Sequence, residues 1–88
     1  MKLQTERITM TTAHTAFDAV QAAVAGGDAD LDLSAVKHAD STLVALILHA
    51  HRLLAARGLT LRVRNAPPAL QRLLAAYGIE SLLDSTLV

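Results

Sequence analysis

The sequence predicts a small α/β fold in which a mixed sheet of about four to five strands carries helices mainly on one face. Along the chain, short segments in which apolar and polar residues alternate are followed by longer segments whose apolar residues recur at helical spacing. The alternating segments are polar at every second position, which indicates that one face of the sheet is open to solvent. A chain of 88 residues suffices for one small domain, and we expect residues 1–88 to form it.

Composition argues against several classes of function. Eight basic and eight acidic residues give a formal net charge of zero, whereas nucleic-acid-binding modules normally carry a basic excess. The absence of cysteine excludes disulfides and thiol chemistry. The longest apolar run, residues 43–48, is far shorter than the ~20 residues of a membrane span, and the first residues lack the apolar core of a secretory signal. We therefore expect a cytoplasmic protein without direct membrane insertion.

The N-terminal residues predict two strands and a helix. Residues 1–5 and 7–11 are the strands, and in the second Ile8 and Met10 alternate with threonines. Thr15 then resembles the start of a capping box, and the helix behind it ends at a glycine pair. The apolar face of this helix comprises Phe17, Val20 and Val24.

The central part predicts a strand at residues 30–34, a loop, and a long helix over residues 40–57 that begins at Asp40 and is closed by Gly58. Asp40 is a favourable N-cap residue. The main apolar stripe of the helix comprises Val44, Ile47, Leu48 and Leu54, and Leu43, Leu46 and Leu53 lie off that stripe. A helix that is apolar on more than one side either packs against neighbours on both sides or covers a partner.

The C-terminal part predicts a strand at residues 59–64 and a third helix that starts around Asn65, with Pro67 in its first turn. Gly78 is expected to end this helix, and Ile79 to begin a short tail. The helix presents Leu70, Leu73, Leu74 and Tyr77, and a last apolar turn comprises Leu82, Leu83, Leu87 and Val88. Because strands and helices alternate, the strands are expected to pair in parallel through right-handed crossovers.

Motifs for catalysis and metal binding are weak. The only glycine pair follows a helix rather than a strand, so it is not a phosphate-binding loop. His49 and His51 are two positions apart on a helix and point to different faces. Ser34 or Ser41, His38 and Asp40 form a catalytic set only by their proximity in sequence. We expect no enzyme, cofactor, metal or small-molecule substrate.

The stretch Asp40-Ser41-Thr42 allows two interpretations. It is either a helix cap with no further role, or a place where a hydroxyl meets a partner or receives phosphate. A phosphate in the first turn of a helix is favoured by the helix dipole, whereas repulsion from Asp40 opposes it.

The strand reading "LDLSAVKHADST", the long apolar helix, the strand "LTLRVRN" and a helix ending "LLAAYGI" together resemble the STAS domain of anti-sigma factor antagonists. The resemblance covers about residues 6 to 84 and implies an STAS-like sheet. Within the family, "DSTLVALILHAHRLLAARG" is most similar to the small STAS subunits of the MlaB type, which share a histidine at the position of His49. These subunits belong to Mla phospholipid ABC transporters, which maintain outer-membrane lipid asymmetry.

The resemblance implies a non-enzymatic subunit that binds the transporter ATPase at the cytoplasmic face of the inner membrane. By motif position, the important threonine of the Mla branch falls on Ser41, and the phosphorylated hydroxyl of the sigma-regulating branch falls on Thr42. The predicted partner-binding residues are Lys37, His38, Asp40, Ser41, Thr42, Leu43 and Leu46, with Leu43 or Leu46 as the apolar anchor.

An alternative function within the family is that of an anti-sigma factor antagonist, in which a kinase-type anti-sigma factor phosphorylates Thr42 or Ser41. The sequence departs from the family pattern because Leu43 occupies the position of a glycine. A bulky residue there either hinders a kinase or favours apolar docking.

Overall fold

The computed structural model describes residues 1–77, which form three α-helices and four short β-strands. The elements in chain order are β1 (Arg7–Ile8), α1 (Ala13–Ala25), β2 (Asp30–Asp32), β3 (His38–Ala39), α2 (Ser41–Ala55), β4 (Arg62–Arg64) and α3 (Pro68–Tyr77). The predicted α/β class is confirmed.

The strands form two separate pairs, both parallel. β2 pairs with β4, with Leu31 opposite Val63, and β1 pairs with β3, with Ile8 opposite Ala39. Parallel pairing is confirmed, but the single mixed sheet of four to five strands is wrong for the described residues. The chain turns between β2 and β3, where the Val36 N–H donates to the Leu33 carbonyl at 3.0 Å.

The N-terminal segment links the two pairs. Lys2 forms a single parallel bridge with Asp32, and further along the same segment β1 pairs with β3. Residues 1–5 therefore contribute one bridge rather than the predicted strand. Between the Lys2–Asp32 bridge and the Arg7–His38 pair, the segment 33–37 lies beside the segment 3–6 and is one residue longer than it. The predicted loop before α2 thus contains a strand, which local sequence does not indicate because its partner is distant in the chain.

A tight turn ends β1 at Ile8, earlier than predicted. The carbonyl of Thr9 accepts from the N–H groups of Thr12 and Ala13, at 3.0 and 2.8 Å, and α1 begins at Ala13. The predicted capping box at Thr15 is therefore wrong, since Thr15 already lies inside the helix. The turn also breaks the strand alternation, so Ile8 is fully buried whereas Met10 is 86% exposed.

The helices α2 and α3 and the strand β4 are each shorter than predicted. α2 ends at Ala55 and β4 begins at Arg62, while α3 begins at Pro68. Gly58 lies between α2 and β4 with φ of 72°, a left-handed conformation that glycine adopts without strain. The predictions for Gly78, Ile79, the last apolar turn and the side chain of Tyr77 fall outside what the structure describes.

The core is built around α2, which packs between α1 and α3. Most of the predicted apolar faces are buried. The buried hydrophobic residues are Leu3, Ile8, Ala16, Val20, Val24, Leu31, Leu33, Val36, Leu43, Val44, Leu46, Ile47, Ala50, Leu54, Leu61, Val63, Leu70 and Leu74. On β4, Val63 is buried whereas Arg62 and Arg64 are exposed, which confirms the solvated sheet face. None of the helices within residues 1–77 is long and apolar enough to cross a membrane.

Candidate functional site

The N-terminus of α2 is capped as the sequence predicts. Asp40 has extended backbone dihedrals, and its carboxylate accepts a 2.8 Å hydrogen bond from the Thr42 N–H. The Asp40 carbonyl accepts from the Leu43 N–H at 3.1 Å. The N–H of Asp40 itself donates to the Ile8 carbonyl, which ties the cap to β1. The start of α2 is therefore held both by its own cap and by a neighbouring strand.

Hydrogen bonding keeps the Asp40 carboxylate ionised. Bonds from the Thr42 hydroxyl and the Thr42 N–H lower the pKa of Asp40, with a smaller contribution from the Met10 N–H. The group is exposed, so water screens its charge. The site accordingly presents a fixed negative charge at neutral pH, directly before the partial positive charge of the helix N-terminus.

The two hydroxyls that follow Asp40 differ in accessibility. Ser41 is exposed, whereas Thr42 is half-buried and its N–H donates to the Asp40 carboxylate. Ser41 is therefore the hydroxyl that a partner or a modifying enzyme meets first.

Leu43 and Leu46 are completely buried, so the prediction that either side chain anchors a partner is corrected. Both point into the core because α2 is covered by helices on two sides, the arrangement that the sequence left open. The substitution of the family glycine by Leu43 thus fills the core. It offers no apolar surface to a partner.

Lys37 and His38 lie immediately before the cap, with exposed side chains. Their N–H groups both donate to the carbonyl of Glu6, at 2.8 and 2.9 Å. This shared acceptor fixes the backbone from which the two basic side chains project. Lys37, His38, Asp40 and Ser41, which we call the α2 surface, lie together at the start of α2.

The sequence did not single out Met10, which the structure brings to the same place. The Asp40 N–H donates to the carbonyl of Ile8, two residues before Met10, and the Met10 side chain is exposed. The signal that could have found it is the run of threonines around it, which favours a turn rather than a strand that continues past Ile8.

An open depression of about 530 Å³ adjoins Lys37. It lies where β2 and β4 end. Asp32 organises this end, because its carboxylate accepts from the Ser34 N–H at 2.9 Å and from the Asn65 side chain at 3.0 Å. These bonds lower the pKa of Asp32, with the largest effect from Asn65. The residues around the depression are Leu33, Ser34, Val36, Lys37, Asn65, Ala66, Pro67 and Pro68.

His49, the histidine that the resemblance involves, lies away from the α2 surface. It is half-buried, and its ring centroid is 5.3 Å from that of Phe17 on α1. An aromatic contact of this kind joins the two helices. The structure therefore gives His49 a packing contact.

A family model described as "Mlab, STAS domain" matches residues 4–84. The chain belongs to the MlaB-type STAS domain family. No curated protein and no solved structure matches it significantly. Domains of the STAS family are generally regulatory rather than catalytic. The α2 surface of this STAS domain offers a hydroxyl, a carboxylate and two basic groups, which suit hydrogen bonds and ion pairs with another protein.

Proposed function

We propose that this STAS domain is a non-enzymatic subunit that binds the ATPase of an Mla-type phospholipid ABC transporter, the transporter class that maintains outer-membrane lipid asymmetry. It would act in the cytoplasm, at the inner face of the inner membrane, through the ATPase rather than through contact with lipid. A partner that binds one state of the ATPase stabilises that state, so binding regulates or stabilises the active transporter.

One observation carries the proposal: in a chain that matches the MlaB-type family, the α2 N-terminus is capped by Asp40 and leaves Ser41 exposed. A preorganised surface loses little conformational freedom when it binds. The buried positions of Leu43 and Leu46 limit the proposed contact to the exposed part of the predicted set, with Thr42 at its edge.

The test is the affinity of the purified full-length chain for the Mla-type ATPase of the same organism, measured by isothermal titration calorimetry. Ser41→Glu adds a carboxylate next to Asp40, and a like-charge pair in an interface is unfavourable. We expect Ser41→Glu to weaken binding roughly tenfold or more. Thr42→Glu is expected to weaken binding as well.

Thr15→Glu is the matched control, because Thr15 is also an exposed hydroxyl residue near the start of a helix, but on α1. It should bind as the unmodified chain does. If the ATPase binds all three variants with unchanged affinity, the interface lies elsewhere. If the unmodified chain itself does not bind, the proposed function fails.

The exposure of Ser41 also favours a second candidate, an anti-sigma factor antagonist that is switched by phosphorylation. Incubation with the kinase-type anti-sigma factor of the same organism and ATP, followed by intact mass measurement, tests it. A mass increase of one phosphate that Ser41→Ala abolishes would support this candidate. An unchanged mass would argue against it.

A further inference from the structure

We propose that Met10 is the apolar anchor of the α2 surface, and that the ATPase partner presents an apolar pocket to receive it. This inference rests on the proposed function. It supplies the apolar contact that the buried Leu43 and Leu46 do not provide.

Met10 stands out by its exposure. Among residues 1–77, the exposed large hydrophobic side chains are Met10 at 86% and Leu59 at 39%. The residue at the equivalent strand position, Ile8, is fully buried. Met10 is thus an apolar side chain that the fold turns outward, at the end of a strand whose other apolar residue is in the core.

The turn that carries Met10 is well ordered by hydrogen bonds. The Thr9 N–H donates to the Thr12 hydroxyl oxygen at 3.0 Å. The Thr12 hydroxyl in turn donates to the Arg7 carbonyl at 2.9 Å. The hydroxyls of Thr9 and Thr11 are 3.0 Å apart. Because the backbone is already fixed, binding at Met10 orders little more than its own side chain.

Met10 is also tied to the α2 surface. The Asp40 N–H donates to the carbonyl of Ile8 at 3.2 Å, two residues before Met10. The turn and the helix cap therefore keep a fixed relation. A single apolar side chain beside hydroxyls and charges matches the usual anatomy of a protein interface, in which an apolar centre is surrounded by a polar rim.

Methionine is suited to this role because its unbranched, polarizable side chain adapts to an apolar pocket of irregular shape. A protein partner fits the site better than a lipid surface. One apolar side chain on a chain of zero net charge provides neither the broad apolar face nor the basic excess that membrane binding requires.

The experiment measures the affinity of the full-length chain for the Mla-type ATPase with four variants. Met10→Ala removes the anchor, Met10→Leu keeps its apolar volume, and Leu59→Ala removes the other exposed hydrophobic side chain. Ser41→Glu perturbs the α2 surface itself. We expect Met10→Ala to weaken binding roughly tenfold. Met10→Leu and Leu59→Ala should change it by less than about threefold, since volume-conserving changes and truncation outside an interface cost little.

The outcomes separate this inference from the function on which it rests. If Ser41→Glu weakens binding and Met10→Ala does not, the interface stands and Met10 is not its anchor. If the unmodified chain does not bind the ATPase, both proposals fail. If the unmodified chain but not Met10→Ala binds vesicles of phosphatidylethanolamine and phosphatidylglycerol without ATPase, Met10 serves a membrane and the proposal is overturned. The melting temperature of each variant is measured to exclude unfolding as the cause of weaker binding. We expect the Met10 variants to melt as the unmodified chain does, because an exposed side chain contributes little to stability.

Discussion

Asp40 combines two roles at the start of α2. Its carboxylate satisfies the Thr42 N–H, one of the groups that a helix end leaves without a partner, and it places a negative charge beside Ser41. Both roles follow from one side chain in an extended residue just before the helix. Loss of the whole Asp40 side chain would therefore alter the stability of α2 and the charge of the α2 surface together.

Asparagine separates these two roles. Asp40→Asn keeps an oxygen that caps the helix, so we expect a melting temperature close to that of the unmodified chain at pH 7. Asp40→Ala removes the cap and should lower the melting temperature by several degrees. Thermal unfolding followed by circular dichroism measures both. Equal melting temperatures for Asp40→Ala and the unmodified chain would contradict the capping role.

At the scale of elements, α2 is the centre of the fold because it packs between α1 and α3. Its apolar residues extend beyond one stripe for this reason, since each neighbouring helix needs its own contact face. Arg57 strengthens the contact with α1, as its guanidinium donates to the carbonyl of Val24 at the other helix's end. The large apolar side chains Leu43, Leu46 and Ile47 of α2 are therefore engaged in the core and do not face a partner.

Truncation of a core residue of α2 should change stability without changing the surface. Leu46 is fully buried, so Leu46→Ala leaves a cavity in the core and is expected to lower the free energy of unfolding by about 2–5 kcal/mol. Urea denaturation measures this cost. Ala45→Gln, at the adjacent exposed position, should change it by less than about 0.5 kcal/mol.

If Leu46→Ala weakened binding of the ATPase while the variant remained folded and equally stable, Leu46 would contact the partner after all. That result would restore the role that the sequence suggested for this side chain.

At the scale of the whole molecule, three aspartates join segments that are distant in the chain or start an element. Asp28 receives a bond from the N-terminal ammonium of Met1, and Asp32 from the Asn65 side chain. Asp40 caps α2 and neighbours the turn after β1. In each case the hydrogen bonds favour the ionised form, so the pKa values of Asp28, Asp32 and Asp40 are lowered from 3.8.

These shifts predict acid sensitivity. A carboxyl whose pKa is lower in the folded state stabilises the fold above its unfolded pKa, and this stabilisation is lost as the pH falls through the folded value. We therefore expect the contribution of these carboxylates to the free energy of unfolding to be level around neutral pH and to decrease once the pH falls below about 3.8. Urea denaturation between pH 7 and pH 2.5 measures the decrease.

Asp32→Asn provides the matched control for this prediction, because it keeps polar atoms beside Asn65 and Ser34 but cannot titrate. Its stability should decrease less steeply with acid than that of the unmodified chain. Identical slopes would show that Asp32 does not contribute to the acid sensitivity.

The sequence by itself determined the features that depend on neighbouring residues. Asp40 caps α2 because a cap involves only the next few residues, and the alternation of strands and helices imposes parallel pairing of β2 with β4. The family could also be inferred from local motifs, and the match over residues 4–84 confirms it.

The tertiary structure alone decided which apolar residues reach the surface. Leu43 and Met10 are both apolar residues near the start of an element, yet one is buried and the other exposed. The difference arises because helices cover α2 on two sides, whereas the turn after Ile8 directs Met10 away from the core. The pairing of β3 with β1 likewise joins residues that are distant in the chain, and no local pattern in the sequence encodes such a contact.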